Sequence, residues 1–327
     1  MTLHDAARTL LAAVLTAALM WMPLGAAPQE PPPDPRTLPQ IRVDVSLVLV
    51  EATVKDRAGR IVGDLQKEDF RLFEDGAEQT IEHFSRDQLP LAVALVVDLS
   101  GSIEPFLRPL RYATLTALRT LKEEDEVALF TFSSDVEKRV ELTRDKRAVA
   151  DEIEFFSAAG ATNINDAVYQ AARYLGRAAP AARRVIVLVS DNVPTAGGVR
   201  AREVAEAALE ADAAVYGIKV PGRNPPMARA AARIARPGMV NVSKLAEETG
   251  GEVFDIEKEG SLFLAFQTLI ERLKTRYTLG FYPAKQARSG FRALEVRLAS
   301  ARGSRGKDYT VLAKRGYYAT RSSSASR

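Results

Sequence analysis

Leu91-Ala92-Val93-Ala94-Leu95-Val96-Val97-Asp98-Leu99-Ser100-Gly101-Ser102 is the stretch from which the fold is read. An unbroken apolar run ended by a carboxylate reads as a strand buried on both faces of a parallel sheet. The turn that follows offers one carboxylate and two hydroxyls at the carboxyl end of that strand, where open α/β sheets present their ligands. Hard oxygen donors of this kind suit Mg²⁺, with Mn²⁺ or Ca²⁺ as substitutes. The competing reading is local: Asp98 caps the next helix and the serines satisfy its free amides.

Downstream of this run, strands and helices alternate. Pro105 to Leu121 places Leu107, Leu110, Thr114, Leu118 and Leu121 at helical spacing, and Val127 to Phe132, Arg184 to Val189 and Val215 to Val220 read as strands. Asn165 to Arg173, Val204 to Leu209 and Val242 to Glu248 read as helices, the last stopped by Gly250-Gly251. This alternation predicts a doubly wound, mostly parallel, Rossmann-like α/β sheet over residues 88–275.

On either side the pattern turns to short strands. Val43, Val45, Leu47 and Leu49 alternate, turn signals follow at Asp56-Arg57-Ala58-Gly59 and Glu74-Asp75-Gly76, and Phe70 to Phe73 and Thr80 to Phe84 read as strands, so 41–87 is a first β segment. After a helix at Ser261 to Lys274, the segments Tyr277 to Tyr282, Phe291 to Leu298 and Tyr309 to Ala313, with Gly316-Tyr317-Tyr318, make 276–318 a second. Each is too small to stand alone. The expectation is therefore a small discontinuous β-sandwich-like domain with the α/β domain inserted in it, the alternative being two separate appendages.

Leu10 to Met22 is almost wholly apolar, Arg8 precedes it and Gly25-Ala26-Ala27 follows, so 1–27 reads as a signal peptide or an uncleaved anchor. Residues 28–40 form a proline-rich linker and 319–327 a disordered tail. The expected location is secreted, periplasmic or cell envelope. No other apolar run reaches the length of a membrane helix, so the mature form is expected to lack a transmembrane span. With 327 residues, 46% of them hydrophobic, and no cysteine, stability has to come from a packed core rather than disulfides. The formal net charge of +3 hides an asymmetry: Lys274 to Arg327 holds 13 Lys and Arg against 2 Asp and Glu. That basic end offers contact with an anionic envelope surface, or balances the acidic remainder. An exported chain is not expected to bind nucleic acid.

Further oxygen donors reach the same sheet edge from elsewhere in the chain. Gly160-Ala161-Thr162 precedes a helix and Ser190-Asp191 ends a strand, bringing a hydroxyl and a second carboxylate to carboxyl-end loops. The order Asp-x-Ser-x-Ser, then a loop Thr, then an Asp ending a later strand resembles the metal-ion-dependent adhesion site (MIDAS) of von Willebrand factor A domains, over roughly Leu91 to Thr275. With its β flanks, notably Glu68-Asp69-Phe70, Gly280-Phe281-Tyr282-Pro283 and Arg315-Gly316-Tyr317-Tyr318, the chain is similar to secreted VWFA-related proteins of acidobacteria. The resemblance implies that Asp98, Ser100, Ser102, Thr162 and Asp191 form the metal site. It also implies that a partner protein supplies an Asp or Glu carboxylate to the ion. Asn192 departs from the glycine common at that position, which puts ligand geometry in question more than metal binding.

Enzymatic readings each lack a part. An aspartyl phosphotransferase would have a carboxylate where Ser100 stands. A serine hydrolase needs a base, and the histidines are His4 and His83. A nucleotide fold needs a glycine-rich turn, and Asp98 to Ser102 has one glycine. The sequence therefore predicts an exported, metal-dependent adhesion or binding protein, not an enzyme. The alternative is a metal-independent envelope scaffold or assembly protein. Asp166 reads as a first-turn helix carboxylate. Arg229, Arg233 and Arg236 read as a solvated insertion or an anionic contact surface, and Tyr277, Phe281, Tyr282, Tyr317 and Tyr318 as core or cross-strand aromatics.

Overall fold

A computed structural model describes residues 47–86, 89–223, 238–256, 261–283, 290–299 and 309–319, all of them within a single compact unit. The signal segment, the proline-rich linker, residues 41–46, the Arg229, Arg233 and Arg236 stretch and the tail beyond Ala319 lie outside the described residues.

Leu91–Asp98 is strand β5, buried along its whole length. Leu91, Val93, Leu95 and Val97 enter one core and Ala92, Ala94 and Val96 the other, the two-residue alternation of a strand covered on both faces. Its parallel neighbours are β6 (Glu126–Phe132) and β8 (Arg183–Ser190). Beyond β8 lie β9 (Ala213–Lys219) and β10 (Val253–Asp255), and beyond β6 lies antiparallel β7 (Val136–Thr143), in the order β10-β9-β8-β5-β6-β7. The chain winds from β5 to one side first and then, through β8, to the other. The crevice outside the carboxyl ends of β5 and β8 is thus a topological switch point.

Helices α1 (Leu107–Thr120), α2 (Lys146–Glu154) and α6 (Leu262–Lys274) cover one face of this sheet, and α3 (Ile164–Ala178), α4 (Ala201–Glu210) and α5 (Val242–Thr249) the other. In α3, Ile164, Ala167, Val168, Ala171, Ala172 and Leu175 repeat at helical spacing and are all buried. Each fully buried Val, Leu or Ile contributes roughly 1.5–3 kcal/mol relative to exposure. Local signals set the ends: Asp145, Asn163, Asn241 and Ser261 accept backbone N–H groups of the helices they precede.

The flanking segments build two antiparallel sheets. β1 (Val48–Lys55), β4 (His83–Ser85), β11 (Tyr277–Phe281) and β13 (Thr310–Ala313) pair in the order β13-β1-β11-β4. β2 (Phe70–Glu74), β3 (Ala77–Gln79), β12 (Gly290–Leu298) and β14 (Gly316–Ala319) pair as β14-β12-β2-β3. Val50, Ala52, Phe70, Leu72, Tyr277, Leu279, Leu294 and Val296 share one core between them. The β2–β3 turn has positive φ at both Asp75 and Gly76, as a two-residue hairpin requires. Thr80 to Phe84 is not one strand: the chain leaves β3, buries Ile81 and enters β4 in the other sheet.

The sheets meet the α/β layer at the base of β8 and β9. Gly250 ends α5 with a left-handed φ of 82°, and a Cβ there would stand 2.7 Å from the Lys314 amide nitrogen. The close approach of the two segments requires glycine.

Candidate metal centre

Asp98 closes β5, and Asp191 follows the last residue of adjacent, parallel β8, so the two carboxylates come to the same edge of the sheet. Both are almost fully buried, at 0% and 1% exposure. Ser190 ties Asp98 to the turn that begins at Asp191: its hydroxyl donates to Asp98 Oδ2 at 2.6 Å and accepts the Asn192 amide at 3.1 Å. From sequence alone, Ser190 stands only as the residue before Asp191. Its position at the end of β8, opposite Asp98, was the available signal.

In the turn itself, the Ser100 amide donates to Asp98 Oδ1 at 2.8 Å, and the Ser100 and Ser102 hydroxyls lie 3.2 Å apart. The 3₁₀ turn Gly101–Phe106 and α1 have Ser100 and Phe106 as their N-caps, and neither makes a side-chain capping bond. The capping alternative therefore does not account for the serine hydroxyls.

Thr162, buried, sits in a loop tied to this turn. The Ala159 amide donates to the Leu99 carbonyl at 2.8 Å and the Gly101 amide to the Gly160 carbonyl at 3.4 Å. On its other side the Thr162 amide donates to Thr195 Oγ1 at 2.7 Å, and its carbonyl accepts the amides of Thr195 and Ala196. Asp166 is in the first turn of α3 and also anchors the loop before α4, accepting the Gly198 and Val199 amides at 3.0 and 2.9 Å.

Burial pushes the Asp98 carboxyl up to about 6; hydrogen bonds from Ser190 and Ser100 oppose the rise, and the Asp191 charge adds to it. Asp191 Oδ1 accepts the Val193 amide at 3.1 Å, but buried Oδ2 has no hydrogen-bond partner among the described residues. A buried acceptor left unmet costs about 1–3 kcal/mol. Segment 221–223 lies close over it: a Cβ on Gly222 would come within 2.2 Å of Asp191 Oδ2, and the Arg223 amide donates to the Ser102 carbonyl at 3.0 Å. Asn192 adopts a φ of 57°, a left-handed conformation in which glycine is at ease and asparagine tolerated. Its buried Oδ1 also lacks a partner.

The donor set fits a hard divalent cation. Two carboxylates and three hydroxyls supply oxygen alone, which favours Mg²⁺, Mn²⁺ or Ca²⁺ over metals that prefer nitrogen or sulfur. Among the described residues there is no cluster of three or more His, Cys, Asp and Glu, so a cation here would need the hydroxyls as well as the two carboxylates. His83 lies on β4, in a flanking sheet, where it pairs with Gly280 and not with Ser100 or Ser102. The aromatics divide. Tyr277 and Phe281 are core residues, Tyr317 donates to Glu74 Oε1 at 2.6 Å, Tyr318 meets Phe291 edge to face, and Tyr282 is exposed.

A model of the von Willebrand factor type A domain matches residues 93–193. Inter-alpha-trypsin inhibitor heavy chain H2 of Sus scrofa is 31% identical over 132 residues, covering 37% of this chain and 14% of that protein. Its Homo sapiens counterpart is 30% identical over 130 residues, with 36% and 14% covered. The match thus spans about a seventh of those relatives. Among solved structures, the PilB minor pilin from Streptococcus sanguinis superposes with a TM-score of 0.43 at 16% identity, covering 58% of this chain and 62% of that one. The manganese-loaded TRAP protein of Plasmodium vivax gives 0.39 at 16%, covering 76% and 98%.

Proposed function

We propose, from the premise that this chain carries a von Willebrand factor type A domain, that it is an exported protein-binding module whose grip is metal-dependent. Asp98, Ser100, Ser102, Thr162 and Asp191 are the residues that would hold the ion, Mg²⁺ in the first instance. Bound there, the cation would offer an open coordination position to an Asp or Glu carboxylate of a partner protein. The observation that carries this reading is the Asp98 and Asp191 pair: two buried acids at one sheet edge, one with a carboxyl oxygen that has no donor among the described residues. Export rests on the Leu10 to Met22 pattern. Among the described residues no helix is long and apolar enough to cross a membrane.

Other parts of the chain have supporting roles. Ser190 holds Asp98 in place, the Thr195 hydroxyl fixes the Thr162 loop, and Gly222 leaves room for Asp191. A binding role is favoured over catalysis because His83, the histidine among the described residues, lies on β4 of a flanking sheet rather than beside the serines as a base would.

The test is thermal unfolding and partner capture with Mg²⁺ and with EDTA, for the full chain and for Asp98→Ala. A ligand that binds only the folded state raises its stability by about 2.7 kcal/mol at a hundredfold excess over Kd. The wild type should gain such stability from Mg²⁺ and lose its partner in EDTA, and Asp98→Ala should show neither response. Capture that survives EDTA, with no metal-induced shift, would leave the scaffold reading in its place.

A further inference from the structure

At the other end of the sheet, around the start of β8, there is a cavity of about 220 Å³ whose charged lining is Glu51, Arg183, Arg184, Asp212, Arg276 and Lys314. Its charges are arranged unequally. Arg183 Nε and Arg276 Nη1 both lie on Glu51, at 2.7 and 2.6 Å. Arg184 Nη2 and Lys314 Nζ both face Asp212, at 3.8 and 2.7 Å. Each carboxylate serves two cations, so the wall carries four positive charges against two negative.

Neutral acceptors meet only part of either shortage; Arg183 Nη2 donates to the Leu273 carbonyl at 2.9 Å. Arg276 also donates to the Tyr216 hydroxyl and to the Gly250 carbonyl at 3.0 Å, yet its buried Nε has no acceptor among the described residues. Arg184 donates to the Ala179 and Pro180 carbonyls at 2.9 and 3.1 Å, and its Nε is likewise unmet. Burial pulls Arg183 below the usual arginine range, Glu51 opposes this, and the Arg276 charge lowers it further. Two guanidiniums, each 6% exposed, are thus held side by side with one carboxylate between them. Buried cations in excess of their partners are costly unless a further anion joins them.

We infer that this cavity binds a small, doubly charged oxyanion, such as hydrogen phosphate. Guanidinium forks match the oxygens of such ions, and the excess of two positive charges matches a dianion. The deep burial of Arg183 and Arg276 suits a free ion that enters the cavity better than a flat charged surface.

The probe is inorganic phosphate, titrated into the full chain in EDTA so that the opposite pole is kept out of play. Thermal unfolding and calorimetry are read against sodium chloride of equal ionic strength. Phosphate should give a saturable rise in Tm that chloride does not give. Asp212→Asn removes a competing carboxylate at a position whose φ of 48° asparagine accepts, and should lower the phosphate midpoint about fivefold. Lys314→Gln should raise it about fivefold by the same reasoning. A phosphate response no larger than that of chloride overturns the inference, as does a midpoint that neither substitution moves.

Discussion

At the carboxyl ends of β5 and β8 the molecule buries acids, and around the start of β8 it buries bases. The two regions also differ in how they are built. The acidic pole has as its nucleus one five-residue turn, Asp98 to Ser102, to which two loops add Thr162 and Asp191. The basic pole has no such nucleus: Glu51 and Arg276 meet across 225 positions, and Arg183 comes from the strand between them. A site built on a turn can be read from sequence, whereas a site built across strand pairings waits on the register. The charges at the two poles also have different physical standing. Those at the base are of both signs, two carboxylates shared among four cations, and tie the layers together, while those at the top are two carboxylates brought to one sheet edge.

The sharpest way to break this contrast is to remove the shared carboxylate at the base. Glu51→Leu leaves Arg183 and Arg276 buried without it and should cost about 3–5 kcal/mol in urea unfolding. Its Mg²⁺-induced shift should nonetheless persist. A loss below 1 kcal/mol would mean that the network contributes no net stability.

At the other pole, neutralisation should do the reverse. Asp98 has its carboxyl raised to about 6 from an ordinary 3.8, so the folded state favours the protonated form. The stability this gives is present below pH 4 and is lost as pH rises through about 6. In EDTA at pH 8, Asp98→Asn should therefore unfold at a higher temperature than the wild type, while gaining nothing from Mg²⁺. The wild type in EDTA should lose stability between about pH 4 and pH 6, and the variant should lose less. Parallel pH profiles for the two proteins would remove the claim that Asp98 is held at a cost.

The smallest effect is expected at Arg223, which pairs with Glu104 at 2.5 Å beside the turn, both side chains more than half exposed. Exposed pairs contribute about 0–1 kcal/mol, so Arg223→Ala should leave Tm within a degree or two and the metal response intact. A large loss would extend the centre to its rim.

The α/β layer was legible because β5 and β8 are long apolar runs and the faces of α1 and α3 repeat at helical spacing. β7 was not, since Val136–Thr143 is an edge strand carrying Glu137, Lys138, Arg139 and Glu141, and charge that protects an edge also hides its alternation. β10 has three residues, too few for a period. Of the centre, the five proposed donors were named from the sequence. Ser190 and Gly222 were not, because a hydroxyl that supports a carboxylate and a glycine that makes room for one have meaning only after the segments meet.

The pairing of β1 with β11 and of β2 with β12 bears on the order in which this chain folds. The Leu65 amide waits for the Tyr277 hydroxyl 212 residues later, whereas β5 finds β6 within a single helical crossover. Loop closure favours the nearer partner, so the central layer should form while β1 and β4 still lack β11, and the β2–β3 hairpin still lacks β12. During synthesis the first β segment would leave the ribosome with open edges and an uncovered apolar face. It would stay exposed to aggregation or to chaperone capture until Tyr277–Phe281 emerged.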